Sequence, residues 1–189
     1  MIITLKDKDS VWIGVSIDYA YGEIHKDDVI HEENLKMWRA PDASDCIIAS
    51  YQANGIDIDA LRYKKNLGFS VPLTQKNLIT KVIPKLKEVF KEIDMMDENE
   101  SWQTLVIAKG DKAFEISPKF LCNEVEDFQI TGNTRRGYVA WGSMAINKDL
   151  PPVDRIAEAF RAIENVKYEM QFPIVIMNTK NKERVVLYN

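Results

Sequence analysis

An α+β fold of two antiparallel sheets stacked face to face, each covered outside by a helix pair, is what this sequence predicts. In layers it is a four-layer αββα sandwich. Three observations carry the expectation. Four strand-like segments precede any long helix. Later strand runs alternate with pairs of helices, which is not the βαβ rhythm of a parallel sheet. The 189 residues suit one domain, residues 1–189, and a chain of that size buries roughly 70% of its unfolded surface without staples.

The elements follow in order. Ile2 to Lys6 and Val11 to Ile17 are rich in β-branched residues and flank the turn residues Asp7-Lys8-Asp9-Ser10, so the chain opens on a hairpin. A polar stretch with Gly22, His25 and Asp27-Asp28 leads to a third strand at Leu35-Lys36-Met37-Trp38. Cys46 to Tyr51 is a fourth strand, too continuously apolar to be half-exposed. Gly55 to Asn66 carries Ile58, Leu61 and Arg62 at helical spacing, with Gly68 as a stop. In Thr74 to Met95 the residues Leu78, Ile79, Val82, Leu86, Val89, Phe90 and Ile93 share one stripe opposite lysines and glutamates, which predicts a long amphipathic helix. Pro84 removes one of its hydrogen bonds, so a kink or break is expected near Lys81.

A second hairpin is expected from Gln103 to Ala108 and Ala113 to Ser117, around Lys109-Gly110-Asp111-Lys112. Phe128 to Thr131 is a short strand. Arg135 to Asn147 reads as helix despite Gly137 and Gly142. Pro151-Pro152 starts another, with Val153, Ile156, Phe160 and Ile163 on one side. Phe172 to Met177 and Arg184 to Tyr188 close the chain as a terminal hairpin.

Composition narrows the function classes. The net charge of −4, without long single-sign blocks, argues against a nucleic-acid binder built on a broad cationic face. No apolar run is long enough to span a membrane, and the first residues lack a signal-peptide core, so a cytoplasmic protein is expected. Cys46 and Cys122 form no metal or disulfide pattern and read as buried thiols. His25 and His31 lie among Asp27, Asp28, Glu32 and Glu33 without metal-ligand spacing, and read as a solvated acidic loop. No cofactor or metal is expected. Ser16, Ser50 and Ser143 lack the G-x-S-x-G elbow of a serine nucleophile.

Val11-Trp12-Ile13-Gly14-Val15-Ser16-Ile17-Asp18 is a strand ending in Asp, and Lys36-Met37 opens the third strand. Asp45 to Asp57 is an apolar strand running through small residues into the first helix, and Ile130-Thr131-Gly132-Asn133-Thr134 takes an apolar strand through a glycine into the next helix. In their order and spacing these segments resemble the proteasome β-type subunits and the peptidase subunit of the bacterial two-component ATP-dependent protease. The last of them stands where that family has an apolar strand and a Gly-Ser-Gly turn. The resemblance implies an N-terminal nucleophile hydrolase fold and a homo-oligomer. Active members use a first-residue Thr whose own α-amino group accepts the hydroxyl proton. By resemblance, Asp18 and Lys36 take the two positions that orient and polarise that Thr.

Two further positions depart from the family pattern. The first residue is Met1, and bulky Ile2 disfavours removal of an initiator Met. The nearest threonine is Thr4, and counting back from Asp18 the family spacing fits Met1 better than Thr4. Asn133 replaces the Ser of the turn. The expectation is therefore a proteasome-like subunit without threonine peptidase chemistry as encoded, acting as a structural or binding component. The alternative is an amide hydrolase or peptidase, processed to expose Thr4 as nucleophile, with peptide or protein substrates.

Overall fold

Alternation along the first hairpin sets the layers. The computed structural model describes residues 1–16, 36–51, 55–98, 100–168, 172–181 and 183–188. Asp18, His25 and His31, and the acidic residues around the two histidines, lie outside the described residues. Strands β1 (Ile2–Asp7) and β2 (Ser10–Ser16) pair antiparallel, from Ile2 opposite Val15 to Asp7 opposite Ser10. Successive side chains point to opposite faces, so Ile2, Val11, Ile13 and Val15 enter one core while Ile3 and Leu5 enter another.

The chain continues through β3 (Met37–Ala40), β4 (Ala43–Tyr51), α1 (Gly55–Tyr63), α2 (Gln75–Asn77), a π-turn at Leu78–Val82 and α3 (Ile83–Glu92). A two-stranded ribbon of β5 (Met96–Asp97) and β6 (Glu100–Ser101) precedes β7 (Thr104–Lys109), β8 (Lys112–Ile116), β9 (Cys122–Glu124) and β10 (Phe128–Thr131). Helices α4 (Thr134–Ile146) and α5 (Pro152–Asn165) then lead to β11 (Ile174–Asn178) and β12 (Arg184–Leu187). One sheet has the order β10-β1-β2-β11-β12, the other β3-β4-β7-β8-β9, and every pairing is antiparallel.

Three apolar layers separate four layers of structure. Between the sheets, Ile2, Ile13 and Val175 share a core with Met37, Ile47 and Val106. Outside the second sheet, Trp38, Ile48, Ile107 and Phe114 pack with Leu61 of α1 and Leu86 and Phe90 of α3. Outside the first, Ile3, Leu5, Ile174 and Ile176 pack with Met144 of α4 and Ile156 and Phe160 of α5. Gly14 on β2 permits the approach of α5: a Cβ there would lie 2.6 Å from Ile156 Cγ2. The αββα order expected from the alternation of strand runs and helix pairs is the observed one.

Some details differ. Pro84 leaves the helix without one donor, and the chain absorbs this by widening into the π-turn. The Ile83 N–H reaches back five residues to the Leu78 carbonyl. The expected long helix is therefore three segments. Strand β3 runs on to Ala40, and β9 and the β5–β6 ribbon are too short for alternation to announce them.

Candidate functional site

The register of the first hairpin decides what stands at the open end of β1. Ile2 faces Val15 on one side and Thr131 on the other. The next pair outward brings Met1 to Ser16 and to Gly132. The α-amine of Met1 donates to Ser16 Oγ at 3.0 Å, and the Ser16 N–H returns to the Met1 carbonyl at 3.3 Å. Gly132 has φ +147°, and a Cβ on it would sit 3.3 Å from Met1 Cα and 3.2 Å from its Cγ. Only a residue without a side chain lets the turn after β10 close against the chain start.

Asn133 follows as the cap of α4. Its Oδ1 accepts the backbone N–H groups of Arg135 at 3.0 Å and Arg136 at 3.4 Å. Asparagine is among the best residues for that position. The Asn133 side chain is thus engaged with helix backbone. Met1, Ser16, Gly132 and Asn133 form one end of the first sheet.

Lys36 stands just before β3 and is half-buried; its carbonyl accepts the Ser50 N–H at 2.8 Å. The residues that follow Lys36 and Met1, Met37 and Ile2, belong to the same inter-sheet core. Thr4 is elsewhere. It pairs with Ile13 and Gln129 in mid-sheet, is fully buried, and its Oγ1 has no hydrogen-bond partner. It lies three residue steps from Met1, about 10 Å along the strand.

An acid that belongs to no sequence motif joins this region. Glu115 on β8 reaches across the sheets: its Oε2 accepts Thr131 Oγ1 in a short hydrogen bond and Gln129 Nε2 at 3.4 Å. Strand alternation signals it, because Ala113 enters the inter-sheet core and Glu115 shares its face. Beside the turn, a cavity of about 580 Å³ opens between β10 and α4, lined among others by Phe128, Ile130, Gly132 and Trp141. No group of three His, Cys, Asp or Glu side chains suited to a metal occurs among the described residues.

The fold that carries this end has parallels among solved structures. Thiobacillus denitrificans BPH is 16% identical, with a TM-score of 0.68 over 94% of this chain and 96% of that one. Eukaryotic HslV from Trypanosoma brucei is 14% identical, with a TM-score of 0.60 over 94% and 97%. Anbu, an ancestral beta-subunit from Yersinia bercovieri, is 10% identical, with a TM-score of 0.64 over 98% and 86%. The chain has the proteasome-type, HslV-like fold. No protein-family model and no curated relative matches the sequence.

Within the proteasome-type fold, then, the end of β1 carries a methionine amine beside a serine hydroxyl, a glycine-led turn and an asparagine-capped helix. The described groups there offer a hydrogen-bonded amine–hydroxyl pair and an apolar groove.

Proposed function

We propose that this chain is a proteasome-like subunit, one domain over residues 1–189, that lacks threonine peptidase chemistry as encoded. It serves as a structural or binding component of a cytoplasmic homo-oligomer. One observation carries this reading: Met1, and no threonine, is the residue at the end of β1 that meets both Ser16 and the Gly132-Asn133 turn. In that reading Asp18 and Lys36 are remnants of an active site, and Asn133 keeps the turn's capping role without its hydroxyl.

The opposing reading makes Thr4 a nucleophile after loss of Met1-Ile2-Ile3. That loss would remove Ile2 and Ile3, exposed by 1% and 0%, from two separate cores. Burial of each contributes roughly 1.5–3 kcal/mol, and the pair together approaches the whole stability of a marginal domain. BPH is known in complex with Epoxomicin, so a chain with the same fold and an exposed Thr would be a candidate for peptide or protein cleavage. Peptide hydrolysis by purified protein separates the two readings. The proposal expects no turnover that Thr4→Ala removes. Turnover lost in Thr4→Ala, with unchanged folding, would overturn it.

A further inference from the structure

Hydrogen bonds alternate along β1. The Ser16 N–H donates to the Met1 carbonyl, and the Lys6 N–H to the Asp127 carbonyl at 2.8 Å. Successive residues therefore bond opposite neighbours, Ile3 and Leu5 bonding β2, Ile2 and Thr4 bonding β10. On β10 this ties Thr131 and Gln129 to β1. Ile130 and Phe128, opposite Ile3 and Leu5, turn their N–H and C=O groups away from it. β10 is the last strand on that side among the described residues. Two donors and two acceptors thus stand in line at the open edge, a template for another strand. The edge reads Phe-Gln-Ile-Thr, with none of the charges or prolines that commonly guard one.

The cavity beside α4 opens onto this same edge. Phe128, Gln129 and Ile130 all line it, although side chains alternate and Gln129 gives its amide to Glu115 on the other side of the sheet. Three consecutive strand residues share a cavity when it runs along the edge of their backbone. Phe128 and Ile130 turn their side chains to the helix side, with Ile3 and Leu5. Trp141, 59% exposed, and Tyr138, 75% exposed, form the facing wall. Gly137 keeps the space open between them: an added Cβ would already touch Ile130 Cγ2 at 3.9 Å. A glycine inside a helix weakens it, so this room is kept at the expense of α4. None of the described residues lining the cavity is charged.

We propose that the β10 edge takes an extended peptide as an added strand, with apolar side chains of the peptide seated in this cavity. It runs antiparallel to β10, the sense of every other pairing in the sheet. Two peptide residues, one opposite Phe128 and one opposite Ile130, each exchange N–H and C=O bonds with their partner. Residues directly opposite share a face, so these two side chains enter between Ile130 and Trp141, and the one between them points to the other face. The ligand class is an apolar–polar–apolar segment in extended form. Backbone bonds fix its register, and the uncharged walls select neutral side chains. This gives the binding role proposed above a ligand, and it does not depend on what the chain start can catalyse.

Fluorescence anisotropy tests it with a set of blocked, dye-labelled pentapeptides that carry Phe, Leu, Val or Trp at the second and fourth positions and Ser elsewhere. Saturable binding of at least one is expected. N-methylation of its two apolar residues removes the donors to the Phe128 and Ile130 carbonyls and should weaken binding roughly tenfold or more. Gly137→Leu fills the cavity and favours the helix; it should abolish binding with unchanged circular dichroism. Amide exchange followed by NMR should slow on binding at Phe128 and Ile130, and not at Gln129 or Thr131, which β1 already bonds. No saturable binding by any member of the set would overturn the proposal and leave the subunit reading standing. Binding that survives N-methylation or Gly137→Leu would overturn it too. Should Gly137→Leu misfold, the exchange pattern in the wild-type chain decides.

Discussion

The Met1 α-amine and the Ser16 hydroxyl are held 3.0 Å apart at the open end of the first hairpin, with Gly132 against the methionine on the other side. In the family this chain resembles, the corresponding amine serves the hydroxyl of its own residue. Here the amine donates to a hydroxyl on the neighbouring strand, that of Ser16.

Ser16→Ala removes that acceptor. The bond is part-buried and its donor is charged, so the loss is expected to cost about 1.5–3 kcal/mol, with the fold intact. Urea unfolding checks it, read as a lower midpoint at constant slope. A midpoint equal to wild type would mean that the amine is not held by Ser16.

Gly132→Ala strains the turn twice, through its φ of +147° and through contact with Met1 at 3.2–3.4 Å. A non-glycine residue in such backbone costs roughly 1–3 kcal/mol. Thermal unfolding should shift down, and hydrogen exchange should rise at Ile2 and Ile3 first, because the turn presses on the start of β1.

Thr4→Val replaces a buried hydroxyl that has no hydrogen-bond partner by a methyl group of nearly the same shape. Such a change is expected to be neutral or to stabilise by up to about 1 kcal/mol, since no bond is lost and an unsatisfied polar atom is removed. A destabilised variant would mean that the hydroxyl is bonded in solution.

Cys46 lies in the core beneath the helices, and burial pushes its thiol far above the usual range. The folded state therefore holds the proton that the unfolded chain releases. Its contribution to stability is complete below about pH 8.5, the ordinary thiol value, and falls as pH rises beyond it. Alkylation at pH 8 should mark Cys122, which is partly exposed, well before Cys46. Labelling of Cys46 should keep pace with global unfolding.

Most of the fold is legible in the sequence because it rests on period and order. The stripe of Leu78, Val82, Leu86 and Phe90, and the β-branched runs Ile2 to Lys6 and Val11 to Ile17, are signals inside a single element. What escapes is pairing at a distance. That β1 lies between β2 and β10, that Glu115 crosses to Thr131, and that β11 joins the first hairpin are facts about residues far apart in the chain. The site was half legible. Tight turn residues between β1 and β2 already place Met1 near Ser16, but only the β10 pairing brings Gly132 and Asn133 to the same end. In the sequence Asn133 signals only the absence of a turn serine; its bonds to Arg135 and Arg136 make it a cap.

Intact-mass spectrometry of the purified protein after incubation with epoxomicin tests the central claim most directly. A chain that keeps Met1-Ile2-Ile3, with no added mass, is the predicted result. A chain lacking those three residues and carrying one epoxomicin on Thr4 would contradict it.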